Sequence, residues 1–218
     1  QNVISVYRCP SDGNRTSKGQ WLNIPFYNYV VCMGNAAVMI PNGANDLNDG
    51  GHWCIDSTRT PDITLQRSAM FEGSNKFRYD KIKSNARFYN FSAIIDGLSN
   101  TAACAETVQG SPDMTKPAVQ DFRGGTWWGS ASFFTTYLSP NSSDFDTMWC
   151  GNGTLLVPKH KVQQTNIGTA AVLASRSFHS GGVNVGYGDG SIHFISDTVN
   201  IDAWRNLGAA NDGNSLLP

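Results

Sequence analysis

The sequence predicts an α+β fold dominated by antiparallel β-sheet, with long loops and a short helix close to the C-terminus. Three observations carry this. Short apolar runs rich in strand formers recur along the chain, separated by Gly, Asn, Asp and Ser turns. Residues 183–196 alternate like paired strands around an Asp-Gly turn, among the strongest hairpin signals. Charged residues make up only 15% of the 218 positions while Gly reaches 22; with little helical periodicity, that composition favours strands and loops over helices, against a usual charged share of about 25%.

Taken in order, "VISVYRCPSDG" reads as a strand ending in a Pro-Ser-Asp-Gly turn. "FYNYVVCMGNAAVMI" is a second apolar, strand-forming segment, and "PNGANDLNDGGHW" a polar loop. In "FSAIIDGLSNTAACAET" a short helix or turn precedes Asp96-Gly97, and the small apolar run after it reads as a buried strand. "RGGTWWGSASFFTTYL" predicts strand plus loop, and "SPNSSDFDTMWCGNG" another long polar loop. At "HSGGVNVGYGDGSIHFIS", Gly181 and Gly182 suit a turn with positive φ, and Val183, Val185 and Tyr187 share one face of a strand. Asp189-Gly190 supplies the second turn, and the returning strand alternates so weakly that coverage on both faces is expected. "DTVNIDAWRNLG" then predicts a closing helix with Asn200 or Asp197 as N-cap and Gly208 beyond its end. No fixed-period repeat or low-complexity linker divides residues 1–218, so one domain is expected.

A formal net charge of −1 gives no basis for a nucleic-acid partner. No stretch approaches the ~20 apolar residues of a membrane span. The five cysteines are scattered without a CxxC pair, which argues against zinc-ribbon and thioredoxin arrangements. Cys9, Cys32, Cys54 and Cys150 are the disulfide candidates and Cys104, within "NTAACAET", the lone thiol. Such bridges would fit an oxidising compartment.

Three ordered blocks, "YRCPSDG", "IIDGLSNTAACAET" and "HSGGVNVGYGDGSIHFISD", are followed by "AWRNLGAANDG". Together they resemble the DUF1559 family of Planctomycetes, known for its H-x9-DG element, whose members look like type II secretion pseudopilins. The matching positions are Cys9-Pro10-Ser11-Asp12, Asp96 to Thr101 with Glu106, and His179 to Ser191. The resemblance implies a pseudopilin-like globular domain, extracytoplasmic, at the cell surface or secreted. Its partners would be other pilin-like subunits or cell-surface proteins, homo-oligomers included. The prepilin cleavage site and long apolar helix of that family do not precede "CPSD" in this chain, so a fragment is expected. The resemblance implies no activity.

His179, Gly181, Gly182, Asn184, Asp189 and Gly190 form the motif. Each unusual residue in it has a backbone reason, so a folding element is expected rather than a catalytic His/Asp pair. His179 is expected to hold the hairpin entry through a ring-nitrogen hydrogen bond to the "DGLSNT" or "CPSD" turn. No G-x-S-x-G elbow is present, and Ser180 beside His179 makes no triad by adjacency, so no enzyme is expected. Calcium is the candidate cofactor, at Asp46, Asn48 and Asp49 or in the Asp144-Phe145-Asp146 stretch, although EF-hand spacing is absent. A secreted ligand-binding module is the alternative, with Trp127, Trp128 and Trp149 placed to stack on sugar rings.

Overall fold

The computed structural model describes residues 4–13, 25–35, 38–39, 54–55, 70–71, 90–110, 121–125, 132–148, 154–157, 160–164, 170–210 and 213. The strands are β1 (Tyr29–Cys32), β2 (Val38–Met39), β3 (Cys54–Ile55), β4 (Ala102–Glu106), β5 (Phe133–Phe134), β6 (Asp146–Met148), β7 (Thr154–Val157), β8 (His160–Gln164), β9 (Ala170–Ala171), β10 (Gly182–Tyr187) and β11 (Ile192–Ser196). The helix α1 spans Ile201–Leu207. The principal sheet has five strands in the order β11-β10-β4-β1-β5, antiparallel except where β5 lies parallel to β1. Two three-stranded sheets, β3-β2-β9 and β6-β8-β7, complete the described β structure. The fold is α+β and mainly antiparallel, as the sequence predicts.

Register decides which side chains meet. Val183 of β10 lies opposite Ile195 of β11, and Val185 opposite Ala105 of β4, which in turn faces Val30 of β1. Residues directly opposite in neighbouring strands share a face. One sheet face therefore collects Val30, Cys32, Ala105, Val183, Val185, Tyr187 and Ile195, all buried. The helix α1 closes this face with Trp204 and Leu207, and the Trp204 ring stacks on Phe134 at 6.2 Å. The indole N–H donates to the Leu138 carbonyl at 2.8 Å, so the buried ring leaves no orphan donor. Asn200 caps the helix, its Oδ1 accepting from the backbone N–H groups of Asp202 and Ala203.

The opposite face runs through Ile192, Phe194, Asn184, Gly186, Cys104, Glu106, Tyr29 and Val31 by the same register. Close approach selects two of the motif's glycines. A Cβ at Gly186 would press on Cys104 Sγ, and one at Gly182 would collide with the Ile195 carbonyl.

Several expectations are corrected. The segment before Cys9 is not a strand: Ser5–Tyr7 is a single 3₁₀ turn closed by Arg8 N–H to Ser5 O at 3.0 Å, and Ile4, Val6 and Tyr7 are exposed. Alternation there lacks a partner strand among the described residues. Part of the predicted polar loop at 139–153 is the strand β6, which pairs in parallel with β8. The returning strand β11 is not covered on both faces; it is the sheet edge, with only Ile195 buried. Of the two turn glycines only Gly181 takes positive φ (81°), Gly182 being needed for space. Gly208 ends α1 at φ −80° rather than in the left-handed region, and is small because a Cβ would strike Thr136 Oγ1.

Candidate functional site

His179 stands at the entry to the β10–β11 hairpin, positioned by its own backbone. Its N–H donates to Ser177 Oγ at 3.1 Å, and that hydroxyl donates to the Gly182 carbonyl at 2.7 Å. Gly181 between them, at φ 81°, lets the chain reverse within this short loop. The ring then points across the end of β4, where Nε2 lies 3.0 Å from Glu106 Oε1. Glu106 is 1% exposed, and its second oxygen Oε2 accepts the Asn184 backbone N–H at 2.7 Å. A buried carboxylate is costly unless paired; here a ring nitrogen and a backbone donor divide its two oxygens.

The third member is Cys9. Its Sγ lies 3.4 Å from the same His179 Nε2. The backbone N–H of Cys9 donates to Asn28 Oδ1, and Asn28 Nδ2 donates both to Asp12 Oδ2 (2.7 Å) and to the Thr107 carbonyl. Asp12 Oδ2 also accepts the Gln109 backbone N–H, while Gln109 Nε2 donates to Asn28 Oδ1. The "CPSD" turn is thus stapled by its own aspartate to the residues that follow β4. One atom each from Cys9, Glu106 and His179 lies within 4.8 Å of the others. Tyr29, opposite Glu106 in the register, feels this neighbourhood: burial first, then the Cys9 and Glu106 charges, raise its pKa.

The arrangement limits the chemistry. In a nucleophile–base–acid relay the imidazole uses both ring nitrogens, one toward the nucleophile and the other toward the acid. Here the thiol and the carboxylate converge on one nitrogen, so Glu106 cannot orient the ring for Cys9 in that manner. The arrangement can act as a clasp joining three distant chain segments, or as a set of metal donors.

The rest of the motif is spread out. Asp189 is exposed at the far hairpin turn, where Oδ1 accepts the Ser191 backbone N–H at 2.8 Å and the Ser191 hydroxyl at 2.6 Å. The Ser191 hydroxyl first and its backbone N–H second hold the Asp189 carboxyl below its ordinary pKa. Gly190 has φ 88°, which the turn requires. Asn184 enters the cluster through its backbone alone.

Cys9 and Cys32, two of the four disulfide candidates, are free thiols, as is Cys104, expected as the lone thiol. Cys9 is turned toward His179, and Cys32 is sealed in the apolar core. Burial pushes the Cys32 thiol up to about 12. Cys54 is described only as backbone in β3; Cys150, Trp127, Trp128, Trp149, Asp46, Asn48 and Asp49 lie outside the described residues. In the oxygen-rich Asp144-Phe145-Asp146 stretch, the Asp146 carboxylate is held by Arg123 at 2.7 Å and Arg176 at 2.8 Å. Glu106, Asp12, Asn28 and Gln109 were not among the sequence-derived site residues. The available signal was that each of the three ordered motifs carries metal-ligating or acid-base side chains, Cys9 in the first, Glu106 in the second and His179 in the third.

No curated protein and no solved structure matches the chain. A family model described as "Protein of unknown function (DUF1559)" matches residues 1–202. All three members of the cluster fall within that match, and the chain belongs to the DUF1559 family.

Proposed function

We propose that the chain is a secreted or cell-surface structural and interaction protein without catalytic activity, a pseudopilin-like subunit of a pilus-like or type II secretion-associated assembly. The observation that carries this reading is a group of exposed apolar side chains at the edge strand and on the sheet face away from the core. Ile192 and Phe194 of the edge strand β11 are 74% and 53% exposed. Tyr29 and Val31, on the same face by register, are 41% and 37% exposed. Gly186 and Cys104 lie between them in the register. Apolar side chains grouped at a sheet edge mark contact with other proteins more often than they mark a free surface. A role outside the cytoplasm rests on the pseudopilin resemblance. No helix of the described residues is long and apolar enough to cross a membrane. The ligand-binding alternative gains no support from the described residues.

Surface biotinylation of intact cells that make the protein, followed by cross-linking and mass spectrometry, tests the proposal. The expected result is labelling from outside and cross-linked products spanning β11, with the cross-linking, not the labelling, reduced to background by the double change Ile192→Lys, Phe194→Lys. Protein found only in the cytoplasm, or cross-linking indifferent to both changes, would overturn it.

A further inference from the structure

We infer that Cys9, Glu106 and His179 form a binding site for a divalent transition ion of the zinc class. The three donors come from the start of the chain, the end of β4 and the entry to the hairpin, and their ligand atoms converge on one point. Zinc binds thiolate sulfur at about 2.3 Å and imidazole nitrogen and carboxylate oxygen at about 2.0–2.2 Å. Tetrahedral angles then place sulfur and nitrogen about 3.5 Å apart, and nitrogen and oxygen about 3.3 Å apart. The observed separations are 3.4 Å for Cys9 Sγ to His179 Nε2 and 3.0 Å for His179 Nε2 to Glu106 Oε1. Both separations are within a few tenths of an ångström of those values, and the third pair, Cys9 Sγ and a Glu106 carboxylate oxygen, lies within 4.8 Å.

The sulfur decides between a metal site and a plain clasp. The carboxylate and the imidazole already satisfy each other by a hydrogen bond, and a thiol is too weak a hydrogen-bonding group to add much. As a ligand, by contrast, a thiolate supplies both charge and affinity for a borderline-soft ion. A thiolate with an imidazole selects against calcium and magnesium, which take oxygen donors. The surrounding shell suits the role. Asn28 fixes the Cys9 backbone, Asn184 N–H fixes Glu106 Oε2 so that Oε1 faces inward, and Ser177 fixes the His179 backbone. Outer partners of this kind orient ligands before the ion arrives. His179 is 30% exposed by side chain while Glu106 is 1% exposed, so the site opens to solvent past the imidazole and a water completes the coordination. On binding, Cys9 gives up its thiol proton to solvent, and His179 binds neutral through Nε2.

The test uses the full chain with its thiols reduced, titrated with Zn²⁺ and, separately, with Co²⁺. One equivalent of Co²⁺ is expected to bring a thiolate-to-cobalt charge-transfer band in the near ultraviolet, displaced by Zn²⁺. Cys9→Ser should abolish the band, and Glu106→Gln and His179→Gln should each weaken Zn²⁺ binding by at least about a hundredfold, beyond what loss of an outer partner does. Cys104→Ser should leave band and affinity unchanged. Zn²⁺ should also shield Cys9 of the parent chain from alkylation, mapped by mass spectrometry, which keeps the test decisive if a variant does not fold. Absence of one-equivalent binding in the parent, alkylation of Cys9 unaffected by Zn²⁺, or parental affinity in the Glu106 and His179 variants would overturn the assignment.

Discussion

Two buried polar clusters in this molecule use similar residue types to opposite ends. Around Asp146, every charge is spent on a partner. Arg123 forks onto Asp121 (Nη2 to Oδ2, 2.7 Å) and reaches Asp146 with Nη1, while Arg176 donates to Asp146 from Nε and Nη2, to the Asp144 carbonyl also from Nη2, and to the Ser142 carbonyl from Nη1. Burial alone would lower the Arg123 pKa, but the charges of Asp121 and then Asp146 raise it overall, so the guanidinium stays charged. Asp146 Oδ1 also accepts the Ala174 N–H. Around Glu106, the donors converge on a single nitrogen and one side meets water. The first cluster is closed and has no capacity for another ligand. The second has its groups aimed at one point, which is the geometry of a site.

The sharpest way to break this contrast is to empty the closed cluster. Asp146→Ala leaves two buried guanidinium groups facing a void, and breaking a buried ion pair in this way costs about 3–5 kcal/mol. Urea denaturation should show that loss; a change under about 1 kcal/mol would mean water reaches the arginines and the cluster is not closed. The open cluster should be cheaper to disturb than the far turn of the hairpin. Gly190→Val puts a β-branched residue at φ 88° and should cost about 1–3 kcal/mol. In the metal-free chain His179→Gln should cost about 1 kcal/mol, because an amide can replace one hydrogen bond. Denaturation curves of the two variants give the ranking, and the reverse order would make the ring, not the turn, the anchor of the hairpin.

The smallest effect concerns alkaline pH. Burial raises the Cys32 thiol from its ordinary 9.0 to about 12, and burial first also raises Tyr29, Tyr187 and Cys104. A group whose folded pKa is raised contributes stability that is complete below its unfolded pKa and lost as pH rises through the folded value. For Cys32 the native state keeps a proton that the unfolded chain has released, so stability should fall from about pH 9 to about 12. Thermal unfolding across that range measures it. A Cys32→Ala variant should show a flatter decline, and an unchanged slope would assign the loss to the tyrosines.

Local pattern alone made several features legible. Alternation and turn residues gave the β10–β11 hairpin, the strand at β4, the buried face of Val183, Val185 and Tyr187, and the Asn200-capped helix, because each depends on contacts a few residues apart. The order of three motifs pointed to the family before any side chain was placed. Other features required the fold. The stretch at Ser5–Tyr7 alternates like a strand yet coils as a 3₁₀ turn, since alternation makes a strand only when a neighbour supplies hydrogen bonds. Ile192 and Phe194 look like core residues, and only the sheet order leaves them at an edge. The cluster at Cys9, Glu106 and His179 spans sequence separations of 73 and 170 residues. Nothing local to Cys9 distinguishes a disulfide half from a partner of His179. That assignment is made by the antiparallel register, which sets Glu106 at the end of β4 beside Asn184, and by the Asp12–Asn28 staple, which carries the first motif to the same place.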